Sequence, residues 1–151
     1  MCMQNTKKIL FIDIDGVLND HSRHDNGYCG FKPECVKELN YILDSDPEIQ
    51  LVISSSWRYM IHPDAMTLLG FEYVLIIAGV NCRNRVVGYT VRDEVTKMRD
   101  DQIKEWATRN GLSHFVVLDD LPLEMKELVR TNGEVGLTRK DAEEVLARFN
   151  Q

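Results

Sequence analysis

A chain of 151 residues with 44% hydrophobic content is long enough to bury a core and fits one domain spanning 1–151. Its formal net charge of -6 excludes sequence-blind attraction of the whole surface to nucleic acid or anionic membrane. Cys2, Cys29, Cys35 and Cys82 form no CxxC pair, no run approaches the roughly 20 apolar residues of a membrane span, and Asp13 and Asp15 come too early for a signal peptide, so a soluble cytoplasmic protein with reduced thiols is expected.

The first apolar run, residues 9–18, reads as a buried strand that finishes in Asp13-Ile14-Asp15-Gly16. Strand alternation sends Asp13 and Asp15 to the same side, and Gly16 permits a tight turn beside them. A polar stretch, 19–32, leads to Pro33 at a first helical turn, with Val36, Leu39, Ile42 and Leu43 as the apolar stripe and Asp46-Pro47 as the stop. Residues 49–53 read as a buried strand ending in Ser54-Ser55-Ser56-Trp57-Arg58.

Pro63 is expected to open a second helix that Gly70 stops, followed by an apolar strand over 73–80. Residues 81–84 read as a turn and 85–91 as a returning hairpin arm or a loop. A third helix carries Ile103, Trp106 and Ala107 on one face, has Asp100 and Asp101 in its first turn, and closes at Asn110-Gly111. Residues 115–118 form another buried strand, ending in Asp119-Asp120. Pro122 opens a short helix over 121–129, Asn132-Gly133 turns the chain, and 134–137 reads as an edge strand. Thr138 and Asp141 then cap a last helix whose inner face is Ala142, Val145, Leu146 and Phe149. Strands alternating with helices predict an α/β fold, Rossmann-like and three-layered, with a mostly parallel sheet flanked by helices.

In such sheets the site lies beyond the carboxyl ends of the strands. Three apolar runs end there in polar groups: Asp13-Ile14-Asp15, Ser54-Ser55-Ser56 and Asp119-Asp120. If the three strands are neighbours, their ends meet in one acidic crevice suited to a hard cation such as Mg²⁺. His21 and His24 lie just past the acidic loop and read as solvated loop residues, because no third ligand stands at a convincing distance. Arg83, Arg85 and Arg92 read either as a local phosphate-tracking patch or as charges keeping an exposed hairpin soluble.

With Asp13-Ile14-Asp15-Gly16-Val17, a hydroxyl at the second strand end, a basic residue opening a helix, and Asp119-Asp120, the chain resembles the haloacid dehalogenase (HAD) superfamily of phosphohydrolases. Residues 53–58, Arg99 with Ile103 and Trp106, and Val135-Gly136-Leu137-Thr138 look like the small capless HAD domains of RNA repair proteins, with the phosphatase domain of polynucleotide kinase a more distant relative.

The resemblance implies that Asp13 attacks phosphorus to form an aspartyl-phosphate, and that Asp15 protonates the leaving oxygen and later activates water. It implies Mg²⁺ on Asp13, the backbone carbonyl of Asp15, Asp119 and Asp120. Ser54 is the first choice for the hydroxyl donor and Ser55 the alternate; Arg58 would reach phosphate or nucleotide. Arg99 is the first choice for the basic clamp and Lys97 the reserve.

The spacing leaves little room for a cap, so the resemblance implies an open site admitting a nucleotide or a nucleic-acid terminal phosphate. The alternative is a catalytically weak HAD-fold binding module that partners a nucleic-acid repair enzyme.

Overall fold

The computed structural model describes residues 7–20, 30–55, 66–90 and 98–151. Arg58, Pro63, Arg92, Lys97, His21 and His24 lie outside the described residues. Within them the chain runs β1 (Lys8–Ile12), α1 (Pro33–Ser45), β2 (Ile49–Ile53), α2 (Leu68–Ile77), β3 (Val86–Tyr89), α3 (Arg99–Arg109), β4 (Phe115–Asp119), β5 (Leu128–Arg130) and α4 (Arg139–Phe149). The strands form one five-stranded sheet in the order β3-β2-β1-β4-β5, with every pairing parallel.

This α/β architecture follows from which residues must be covered. In β1 the side chains alternate between the two sheet faces, and both faces are buried. Leu10 and Ile12 join Leu39, Leu43, Phe71, Val145 and their neighbours in a core made with α1, α2 and α4. Ile9 and Phe11 join Val52, Val117, Ile103 and Ala107 under α3 on the opposite face. Trp106 is half-buried there, its ring edge-on to Phe11 with centroids 5.6 Å apart, so it serves the core.

Helices α1, α3 and α4 form where the apolar stripes place them. Pro33 sits in the first turn of α1. Thr138 and Asp141 make a reciprocal capping box at the start of α4.

Four expectations need correction. The apolar run expected as a strand over 73–80 belongs mostly to α2, and Gly70 lies in that helix's first turn, where its N–H is capped by Thr67 Oγ1 at 3.0 Å. Leu69, Tyr73 and Ile77 are apolar on the outward face of α2, which hid the helical period. Residues 86–89 form the parallel edge strand β3, not a hairpin arm, because the Glu72 carboxylate accepts the backbone N–H groups of Arg85 and Val86 at 3.1 Å each and pins the strand start.

Residues 121–129 are not a helix. Consecutive tight turns bring Leu128 and Val129 to the free edge of β4 as strand β5. Residues 134–137 make a turn with one antiparallel bridge, Asn132 to Gly136, in place of an edge strand.

Arg85 belongs to no phosphate-binding patch. Its guanidinium donates to the carbonyls of Leu43 (2.9 Å), Asp46 (2.8 Å) and Ile49 (2.9 Å), closing the carboxyl end of α1 onto β2. Arg85→Met keeps the apolar stem and removes these donors. It is expected to lower unfolding free energy by about 2 kcal/mol in urea titrations, since partly buried carbonyls then lose their partners. An unchanged midpoint would contradict this structural role.

Candidate active site

β1, β2 and β4 are neighbours with aligned registers, Ile12 opposite both Ile53 and Leu118. The residues following these strands therefore emerge side by side. The Asp13 N–H still donates to Leu118 O at 2.9 Å, and the Ser54 N–H to Ile12 O at 3.0 Å, so the ladder carries both just past its formal end.

Strand geometry stops at Ile12, however, and the chain bends at Ile14 into a turn. The turn has helix-like bonds, Val17 N to Ile14 O at 3.2 Å and Leu18 N to Ile14 O at 2.8 Å. Asp13 and Asp15 consequently sit on different local structures, rather than along one continuous strand as expected.

Asp13, Asp119 and Asp120 each place a carboxylate oxygen within 4.8 Å of the others. Asp13 and Asp119 are buried and Asp120 is half-buried. Arg99, the first residue of α3, reaches into this group: its Nη1 lies 3.0 Å from Asp119 Oδ2 and 3.3 Å from Asp13 Oδ2. The Ser55 hydroxyl is hydrogen-bonded to the Asp13 carboxylate. Ser54 Oγ has no solvent-accessible surface, and among the described residues Ser55 is the serine brought to Asp13.

The electrostatics follow from burial. Desolvation and the neighbouring Asp119 charge push the Asp13 carboxyl up to about 8, against the opposing pull of Arg99 and the Ser55 bond. Burial also raises Asp119, although Arg99 and the Leu121 N–H favour its ionised form. Burial disfavours the Arg99 charge, but Asp13 and Asp119 outweigh it and hold the guanidinium protonated. Three hard oxygen donors with one compensating cation fit a divalent ion, which would relieve the remaining repulsion.

Asp15 stands apart. Its carboxylate is outside the three-acid group among the described residues, is half-buried, and accepts Asn19 Nδ2 at 2.9 Å. Gly16 follows with φ of 82°, a conformation that an L side chain resists. Its carbonyl accepts the Thr131 hydroxyl at 2.6 Å. Leu137 N–H donates to Val17 O at 2.8 Å, next to Gly136, whose φ is 85°.

A Cβ at Gly136 would stand 2.5 Å from Cys35 Sγ and 2.9 Å from Asn19 O. Asn19 and Thr131, which tie down the acidic turn, are not singled out by the sequence, whereas Gly136 lies in the Val135-Gly136-Leu137-Thr138 stretch that carries the family resemblance.

Residues 9–142 match the family of the HAD domain in Swiss Army Knife RNA repair proteins. No curated protein sequence matches the chain. A Legionella pneumophila protein assigned to HAD superfamily subfamily III A has a similar fold, at 19% identity and TM-score 0.50, covering 97% of this chain and 86% of that one. The cobalt-bound deoxy-D-mannose-octulosonate 8-phosphate phosphatase of Haemophilus influenzae aligns at 13% identity and TM-score 0.47, over 98% and 92% of the two chains. The HAD domain of the L. pneumophila effector Lem4 aligns at 13% identity and TM-score 0.46, over 95% and 82%.

The raised Asp13 carboxyl fixes the sign of a pH effect in the metal-free protein. A group whose folded pKa is about 8, above its unfolded value of 3.8, contributes stability that is complete below about pH 4 and is lost as pH rises through 8. Asp13→Asn removes that titration. In EDTA, the stability of the variant relative to wild type is expected to improve between pH 5 and 8, by up to about 1.4 kcal/mol per pH unit. A difference that stays flat across this range in denaturant melts would refute the burial argument.

Proposed function

We propose, because the chain belongs to the family of HAD domains found in Swiss Army Knife RNA repair proteins, that this HAD-superfamily hydrolase is a Mg²⁺-dependent phosphatase of phosphomonoesters working through an aspartyl-phosphate on Asp13. The observation that carries the reading is the meeting of Asp13, Asp119 and Asp120 at adjacent strand ends with Arg99 among them. Hydrolysis of a phosphate monoester needs on the order of 20 kcal/mol of barrier lowering, and a single general acid supplies only about 10²–10⁴-fold. Several groups must therefore act together.

In this reading an Asp13 carboxylate oxygen attacks phosphorus in line with the departing ester oxygen. The bond to that oxygen breaks as the phosphoryl group passes to Asp13, and Asp15 delivers a proton to the leaving oxygen. Asp15, now ionised, takes a proton from water, which attacks the phosphoryl group and restores the Asp13 carboxylate with release of inorganic phosphate. Ser55, close to Asp13, and Arg99 hold the non-bridging oxygens, with Ser54 the alternate hydroxyl and Arg58 and Lys97 further candidates.

Asp13, Asp119, Asp120 and the carbonyl of Asp15 would hold the Mg²⁺. When bound, the ion supplies charge neutralisation between the carboxylates and the incoming phosphate dianion.

An open site supports a large substrate. Among the described residues no cap domain stands over the strand ends, and Asp15 is partly exposed. The terminal phosphate of a polynucleotide, RNA above all, is the substrate we favour, with mononucleotides as the smaller alternative. A net charge of -6 makes a basic partner, such as a separate repair enzyme, useful for holding a long nucleic acid.

The buried free thiols of Cys35 and Cys82 support a reducing, cytoplasmic setting, and no described helix is long and apolar enough to cross a membrane. The one sheet shared by all described strands supports a single domain.

The test is a panel of 3′- and 5′-phosphorylated oligoribonucleotides, mononucleotides and an aryl phosphate, assayed with Mg²⁺ and with EDTA. Expected outcomes are turnover that requires Mg²⁺, loss to background in Asp13→Asn, and a loss of about 10²–10⁴-fold in Asp15→Asn. Full activity in Asp13→Asn would remove it as nucleophile. Mg²⁺ binding without turnover of any panel member would favour the binding-module alternative.

A further inference from the structure

We infer that Asn19 is a positioning residue that sets which oxygen of Asp15 carries the transferable proton, an inference resting on the proposed role of Asp15 as general acid. Asn19 is only 2% exposed although its side chain is a polar amide, and both ends of that amide are used within the acidic loop. Its Oδ1 accepts the Gly16 N–H at 2.9 Å, and its Nδ2 donates to Asp15 Oδ1 at 2.9 Å.

The orientation of the amide is dictated by the backbone. The Gly16 N–H can only donate, so the amide oxygen must face it, and the amide nitrogen is thereby turned toward Asp15. That nitrogen also only donates. Asp15 Oδ1 is therefore kept as an acceptor, and when Asp15 is protonated the hydrogen resides on Oδ2.

In the phosphoryl-transfer step the bond from phosphorus to the leaving oxygen breaks, and the Oδ2 proton passes to that oxygen. Asp15 is left as a carboxylate with Oδ1 still held by the amide.

Asn19 can do this because it is itself immobilised. Leu18 N bonds Ile14 O at 2.8 Å, the Thr131 hydroxyl bonds Gly16 O at 2.6 Å, and Leu137 N bonds Val17 O at 2.8 Å. The carbonyl of Asn19 lies against Gly136, where a Cβ would approach it to 2.9 Å. The segment joining β5 to α4 thus clamps the loop from behind, and Asn19 ties the Asp15 carboxylate to that clamped loop. A carboxyl on a partly exposed turn otherwise samples several rotamers, and misplacement of a proton donor is costly to rate.

A residue that merely holds the turn would affect all substrates alike, whereas one that aims a proton matters most where the leaving group needs it. The experiment compares kcat/KM, which reports transfer to Asp13, for 4-nitrophenyl phosphate and for an alkyl phosphomonoester such as a nucleoside monophosphate. Two variants are used: Asn19→Ala, and Asn19→Asp, which retains shape and the acceptor for Gly16 but loses the donor to Asp15. Folding is checked by thermal melting.

The ratio of kcat/KM for the aryl over the alkyl ester is expected to rise about tenfold or more in both, in the same direction as in Asp15→Asn. An unchanged ratio in folded Asn19→Asp, alongside a raised ratio in Asp15→Asn, overturns this inference and leaves the phosphatase reading standing. Wild-type protein that hydrolyses neither ester overturns both.

Discussion

Mutual repulsion among Asp13, Asp119 and Asp120 is the constraint around which the molecule is arranged. Burial and the neighbouring Asp119 charge raise the proton affinity of Asp13, burial raises that of Asp119, and carboxylates held this close would push one another apart in a fold containing only this feature. Two things hold them in place. The acids of β1 and β4 are attached to adjacent strands paired in parallel between two apolar cores, with Ile12 opposite Leu118. Arg99 then brings a guanidinium between Asp13 and Asp119 from the amino end of α3.

This explains a division of labour between the two faces of the sheet. α1, α2 and α4 supply most of the apolar burial, while α3 covers a smaller core and delivers the one basic group at the acidic pocket among the contacts described. The acidic turn between them is tied down by groups distant in sequence, notably Thr131 and Leu137. Rigidity of that turn has a cost. It demands left-handed backbone at Gly16 and Gly136, and at Gly136 it leaves no room for even a methyl group.

What could be read from the sequence follows the same logic. β1, β2 and β4 were legible because a central parallel strand must be apolar on both faces, and such runs stand out against polar ends. The convergence of Asp13 with Asp119 and Asp120 followed from that alternation and the rule for parallel sheets.

Helix α2 was not legible as a helix. Leu69, Tyr73 and Ile77 make its solvent face as apolar as its buried one, and its lone charge, Glu72, points inward to backbone donors. The short edge strands β3 and β5 carry weak patterns of their own and are recruited by unpaired edges of β2 and β4. Which of Ser54 and Ser55 meets the Asp13 carboxylate depends on how the chain bends after Ile53, which no residue type encodes. Asn19 and Thr131 escaped notice because their partners are defined only once the loop has closed.

The strand order β3-β2-β1-β4-β5 has a consequence for biosynthesis. β1 leaves the ribosome first, yet one of its two flanking partners, β4, follows roughly a hundred residues later. Until then Ile9, Leu10, Phe11 and Ile12 present an unpaired apolar margin, the kind of surface that chaperones shield and that nascent chains aggregate through. Asp119 is synthesised with β4, so the two buried acids can meet only after that strand has been made. The repelling charges meet only when the sheet able to restrain them is nearly complete.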